Sequence, residues 1–175
     1  MKSTLIAIVL ASAIIVPAIH AHGKEKHEEA AMTHGRVTAT AELNIAATAT
    51  DAVAAVERFS IALVAGELEK VSVELDPGVL ILESGGAERS SSEYLGGHAK
   101  SDAAFLGKAS ITLKRRTANA AGDLAWVASE SEIHAMKDAK MLMIASTETM
   151  VLRNSAAGWK IVHIHWSSRR AGNSH

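Results

Sequence analysis

Cysteine is absent from the 175 residues. That excludes a disulfide, a thiol nucleophile, thiolate-bound zinc and a lipid-modified thiol. Aromatic residues make up only 3%, so the three Trp, two Phe and one Tyr mark where packing or binding is concentrated. An excess of one charge is also missing. The formal net charge is -1, which gives no electrostatic case for nucleic acid or an anionic membrane as partner. Phosphate loops, calcium loops and a Ser-His-Asp pattern are not found, and no cofactor is implied.

The long apolar run is also too short for a membrane span. Lys2 precedes the run Leu5 to Val16, and Pro17 to Ala21 reads as a processing site. Residues 1–21 are therefore expected to be a signal peptide, placing the protein in the periplasm or outside the cell, with no membrane contact after cleavage. Residues 22–46 read as a flexible arm rich in Ala, Thr, His and Met. His22, His27 and His34 are candidate copper or zinc ligands there, His22 through a freed amine and its ring, with Met32 as a thioether. No tight ligand spacing such as His-Glu-x-x-His supports them.

From Asp51 the apolar positions Val53, Val56, Ile61, Leu63 and Val64 recur at helical intervals until Gly66. A shorter helix is expected over Glu67 to Leu75, closed by the turn signal Asp76-Pro77-Gly78. A short strand spans Val79 to Glu83. A third helical segment begins at Ser90-Ser91-Ser92 and runs towards Phe105-Leu106. Four strands follow, at 109–117, 124–136, 145–154 and 159–168, separated by Gly-, Asn- and Asp-containing turns. Helices followed by an antiparallel meander define an α+β fold. On the last strand, alternation groups Val162, Ile164 and Trp166 on one face and Ile161, His163 and His165 on the other.

Several stretches then resemble the nuclear transport factor 2-like superfamily. Within it, the SnoaL-like domains and the association (hub) domain of calcium/calmodulin-dependent protein kinase II look closest. The words are Gly66-Glu67-Leu68-Glu69 with Leu75-Asp76-Pro77, Gly97-His98 before Phe105-Leu106, and Leu124-Ala125-Trp126-Val127. Thr147-Glu148-Thr149 and Gly158 to His165 complete them. The resemblance covers about Asp51 to Ser168 and implies a domain over 47–169 with a tail at 170–175. It also implies a cone: three N-terminal helices packed on a strongly bent, mostly antiparallel sheet, with a pocket at one end. The arginines that line the hub pocket correspond here to Ala128, Met150 and Trp166, so an anion site does not carry over.

The implied pocket lining is Tyr94, Leu95, His98, Trp126, Met150, Ile164 and Trp166, with Glu130 and Glu148 as polar groups. That composition fits a small, mainly apolar ligand without a defined reaction. An isomerase, dehydratase or hydrolase would use His98 as base, oriented by Glu130 or Glu148. The opposite, convex face would carry Val127, Ser129, Thr147, Thr149, Ile161, His163 and His165. On the resemblance that face forms a homodimer through Ile161, His163 and His165. The two histidines would need His134 or a symmetry mate to complete a metal site. Hydrogen bonding across a wet interface explains them more simply.

Overall fold

A helix forms over Thr50–Ala65 (α1) because Ala52, Val53, Val56, Phe59, Ala62 and Leu63 fall on one stripe, and all are buried. Gly66 ends it at φ 73°, a left-handed cap open to glycine at no steric cost, and its N–H reaches the Ala62 and Leu63 carbonyls. Asp51 sits in the first turn, whereas the cap position is Ala49, the end of a 3₁₀ turn over Ala47–Ala49. The computed structural model describes residues 40–137 and 140–171. The expected leader and the ligands His22, His27 and His34 lie outside those residues.

The remaining elements are β1 (Glu42–Ile45), α2 (Leu68–Glu74), β2 (Leu75–Glu83), β3 (Gly86–Glu88), α3 (Ser91–Gly96) and α4 (His98–Leu106). Four long strands follow: β4 (Ser110–Ala121), β5 (Leu124–Lys137), β6 (Lys140–Ser155) and β7 (Gly158–Arg170). One sheet runs in the order β1-β4-β5-β6-β7-β2-β3. The four long strands form an antiparallel meander, while β1 on β4 and β2 on β7 are parallel. The inner face of this mixed, bent sheet wraps α1, giving the α+β cone. Phe59, Leu63, Tyr94, Leu106, Met150, Leu152, Ile164 and Trp166 fill its core.

Several expectations need correcting. The third helical segment is two helices, broken at Gly97, whose φ of −119° and ψ of −102° are not helical. Ser90 caps α3 by accepting from the Glu93 N–H at 3.1 Å, while Glu93 accepts from the Arg89 N–H at 2.7 Å. Asp76-Pro77-Gly78 does not reverse the chain. Asp76 Oδ1 accepts from the Gly78 N–H at 2.8 Å, and the kink becomes a bulge inside β2. The arm does not extend to residue 46, because Glu42–Ile45 pairs with Arg115–Ala118 and Arg115 bonds Glu42 at 2.8 Å. The tail does not begin at 170 either, since Arg170 lies in β7 and the Ala171 N–H reaches the Met143 carbonyl at 2.9 Å.

Two corrections change which side chains face inward. Leu152 opposes Ile161 but Val151 opposes His163, so Val162 is an extra residue in β7. That bulge turns Ile161 inward to join Ile164 and Trp166, and Ile161 is fully buried instead of lying on the convex face. On β5 the expected faces are reversed. Residues directly opposite each other share a face, and Val127 and Ser129 oppose the buried Met150 and Glu148. Val127, Ser129 and Ser131 are therefore inside. Trp126 is 42% exposed on the outer face, and Ala128 and Glu130 share that face.

Candidate functional site

The inner face carries one polar row in an otherwise apolar core. Arg116 (β4) lies opposite Ser129 (β5), Ser129 opposite Glu148 (β6), Glu148 opposite Trp166 (β7), and Trp166 opposite Glu83 (β2). A bulge at Lys114 makes this possible: Leu113 opposes Ser131 while Arg115 opposes Glu130, which sets Arg116 on the inner face. Arg116 is completely buried. Its Nε donates to Ser129 Oγ at 3.2 Å and its Nη1 to Glu57 Oε1 of α1 at 3.1 Å. Trp166 Nε1 donates to Glu148 Oε2 at 2.9 Å.

The row continues through ring contacts. Trp166 stacks on Phe59 with centroids 6.5 Å apart and meets the tilted Tyr94 ring at 6.0 Å. The buried Tyr94 hydroxyl donates to Asp102 Oδ2 at 3.1 Å, which joins α3 to α4. Among the described residues, Glu148 Oε1, Asp102 Oδ1, Arg116 Nη2, Ser60 Oγ and Ser131 Oγ are buried without a hydrogen-bond partner. An unsatisfied buried polar atom costs about 1–3 kcal/mol, so these groups mark a polar interior.

Burial decides the electrostatics. It raises the Glu148 pKa to about 7, against the hydrogen bond from Trp166, the charge of Arg116 and the bond from Ser129. Burial, and then the charge of Glu83, raise Asp102 to about 7, against the Tyr94 bond and the charge of His98. Tyr94 is pushed up by burial and by Asp102, so its hydroxyl stays protonated and donating. Burial lowers Arg116, but Glu148 and Glu57 act the other way.

The predicted residues are only partly brought together. Tyr94, Met150, Ile164 and Trp166 are sealed in the core and form a packed floor, with Leu95 half-buried beside it. Trp126 is on the other side of the sheet. His98 has a side chain 61% exposed, and its Nδ1 bonds Glu88 of β3, not Glu130 or Glu148. That bond is the leading cause of its raised pKa. Glu130 faces outward, 4.0 Å from Arg115. The His98–Glu130 pairing is therefore not formed. Only Glu148 of the proposed catalytic set lies in the interior row.

Arg116, Ser129, Glu57 and Asp102 were missed. Within Lys114-Arg115-Arg116, nothing singles out Arg116 as the inward residue until the bulge is known. The signal for Asp102 was its helical spacing, four residues after His98 and eight after Tyr94. The outer face carries a groove of about 320 Å³ lined by Lys114, Glu130, Glu132, Thr147, Ser167 and Arg169, among others. An apolar hollow of about 290 Å³ lies beside Leu124, Trp126 and Val151.

This architecture is the cystatin-like fold of the nuclear transport factor 2-like superfamily. Residues 52–170 match the model of the SnoaL-like domain, and the chain belongs to that family. A protein from Shewanella frigidimarina, provisionally described as a ketosteroid isomerase, is 35% identical. The alignment covers 71% of this chain and 99% of that one, with a TM-score of 0.65. The hub of the S. rosetta calcium/calmodulin-dependent kinase II is 21% identical over 71% of this chain and 98% of the other, at a TM-score of 0.59. An NTF2-like protein from Novosphingobium aromaticivorans with a cystatin-like fold is 15% identical over 68% and 80%, at 0.58. No curated protein matches the chain.

Proposed function

We propose that this SnoaL-like domain binds a small organic molecule against the row Arg116–Ser129–Glu148–Trp166. The observation that carries the reading is the pair of buried, unpartnered polar atoms Glu148 Oε1 and Arg116 Nη2 in an apolar surround. The ligand is small and carries a polar group, because Tyr94, Met150, Ile164 and Trp166 already fill the floor. It is less apolar than the sequence suggests. A thermal-shift screen of small carbonyl compounds, alcohols and acids tests this. Ligands that raise the melting temperature of the wild type should lose about tenfold or more in affinity with Glu148→Gln. A wild type that no compound shifts would sink the reading.

An acid–base reaction at the same row is the second reading. Glu148 and Asp102, both near 7, each populate two protonation states at neutral pH, as a proton-transfer group requires. The Shewanella relative's description supports that class of chemistry. Export rests on the leader, and N-terminal sequencing of the mature protein checks it. The His/Met arm as a copper or zinc site rests on its composition.

Self-association through the outer face of the sheet accompanies either reading. Trp126, Val151, His163 and Leu80 form one cross-strand row there, with Trp126 42% and Leu80 38% exposed. His163 Nδ1 donates to the Leu80 carbonyl at 2.8 Å, and His165 is exposed beside them. Hub domains among the structural neighbours support assembly by this fold. Trp126→Asp should convert a dimer into a folded monomer in light scattering. An unchanged mass would reject this face as the interface.

A further inference from the structure

The end of the β5–β6 hairpin carries a chemical group that none of these readings uses. Met136 and Met141 are 62% and 65% exposed, the highest values among the exposed large apolar side chains of the described residues. Exposed methionine contributes little to a core. The register places Met136 directly opposite Met141, and His134 directly opposite Met143. Alternation then puts all four on one face of the ribbon. Their neighbours Ile133, Ala135 and Ile144 are buried, so that face is the outer one.

Opposed side chains start about 5 Å apart at Cβ and diagonal ones about 7–8 Å apart. Methionine has three rotatable bonds beyond that point. Three sulfurs and one imidazole can therefore converge on a point above the ribbon. The imidazole is already oriented. His134 Nε2 bonds Glu132 Oε1 at 2.5 Å, so a neutral ring donates from Nε2 and presents the Nδ1 lone pair. A carboxylate behind a ligating histidine is the usual means of fixing ring tautomer and orientation.

We propose that His134, Met136, Met141 and Met143 form a binding site for a soft monovalent metal ion, Cu(I) or Ag(I). Thioether sulfur is a neutral, polarisable donor that selects Cu(I), whereas Zn(II), Mg(II) and Ca(II) require thiolate, imidazole clusters or oxygen. Among the described residues no group of three His, Asp or Glu side chains is placed to hold such a harder ion. A merely apolar contact patch would not need the oriented imidazole.

The test is anaerobic competition between full-length protein and bicinchoninate for Cu(I), repeated with Ag(I) by calorimetry. The hairpin should take one ion per chain, with sulfur and nitrogen neighbours in X-ray absorption. Met136→Leu/Met141→Leu/Met143→Leu keeps the apolar surface but removes the sulfurs. It should weaken Cu(I) binding by about 100-fold or more with an unchanged melting temperature, and His134→Gln by about tenfold. A full-length variant with His22→Ala, His27→Ala, Met32→Leu and His34→Ala should retain the hairpin affinity. Equal binding by the triple Leu variant, or loss confined to the arm variant, would overturn the proposal. So would binding to phosphatidylcholine vesicles that the Leu variant matches, with no Cu(I) affinity in either protein.

Discussion

Glu148 and Asp102 carry their protons inside the fold at a pH where exposed carboxyls have lost theirs. Both folded-state pKa values, about 7, lie above the ordinary 4.5 and 3.8. Their contribution to stability is therefore full below about pH 4 and is lost as pH rises through about 7. The protein should therefore be less stable at pH 8 than at pH 5, by on the order of a few kcal/mol. Asp102→Asn should flatten that fall, measured as urea midpoints across pH, and an unchanged slope would contradict the raised pKa. At this scale the sequence was only half legible. Glu148, Tyr94 and Trp166 could be placed inside from the alternation of their strands and the resemblance. Arg116 could not, because whether an arginine is buried depends on partners distant in sequence, here Glu57 and Ser129.

The stripe of α1 was legible, whereas the inward faces of β5 and β7 were not. The stripe of α1 and its glycine stop need no partner to be recognised. In β7, by contrast, Ile161-Val162-His163-Ile164 offers an apolar residue on either face, so pattern cannot reveal that one residue is extra. The bulge arises where β7 contacts β6 and β2, both of which change register there. Deleting Val162 would give a regular ladder, with Ile161 opposite Leu152, His163 opposite Val151, and Ile164 and Trp166 still facing inward. The deletion variant should therefore fold cooperatively and keep its near-ultraviolet circular dichroism, at a lower melting temperature because the junction with β2 shifts. A variant without cooperative melting would show that the bulge is indispensable. The reversal of β5 has a different cause, since its pairing with β6 runs without a register shift. Trp126 is the largest apolar residue of that strand, yet it lies outside, because Ser129 lies opposite the buried Arg116 and Glu148.

The whole molecule is larger at its N-terminal side than the family words indicate. Glu42–Ile45 forms an edge strand on β4, and the Ala46 N–H continues the pairing to the Ala118 carbonyl at 3.0 Å. A short polar segment gives little sign of this, since a parallel edge strand is specified mainly by backbone bonds. A chain beginning at Thr40 should keep the melting temperature of the full-length protein. One beginning at Ala47 should lose about 2 kcal/mol or more from the uncovered β4 edge. Equal melting of the two would make β1 an ornament of the sheet.

Trp166 also determines when the protein can exist during its own synthesis. It is the largest fully buried side chain, in contact with Phe59 and Tyr94 and hydrogen-bonded to Glu148. Yet it belongs to β7, the last strand among the described residues, whose pairing with β2 joins residues far apart in sequence. Such distant contacts form slowly and late. A nascent chain halted before β7 lacks both the strand between β6 and β2 and the ring at the centre of the cone. The ribosome must therefore deliver the chain through β7 before this core can form, and a premature stop shortly before residue 166 leaves a fragment for proteolysis.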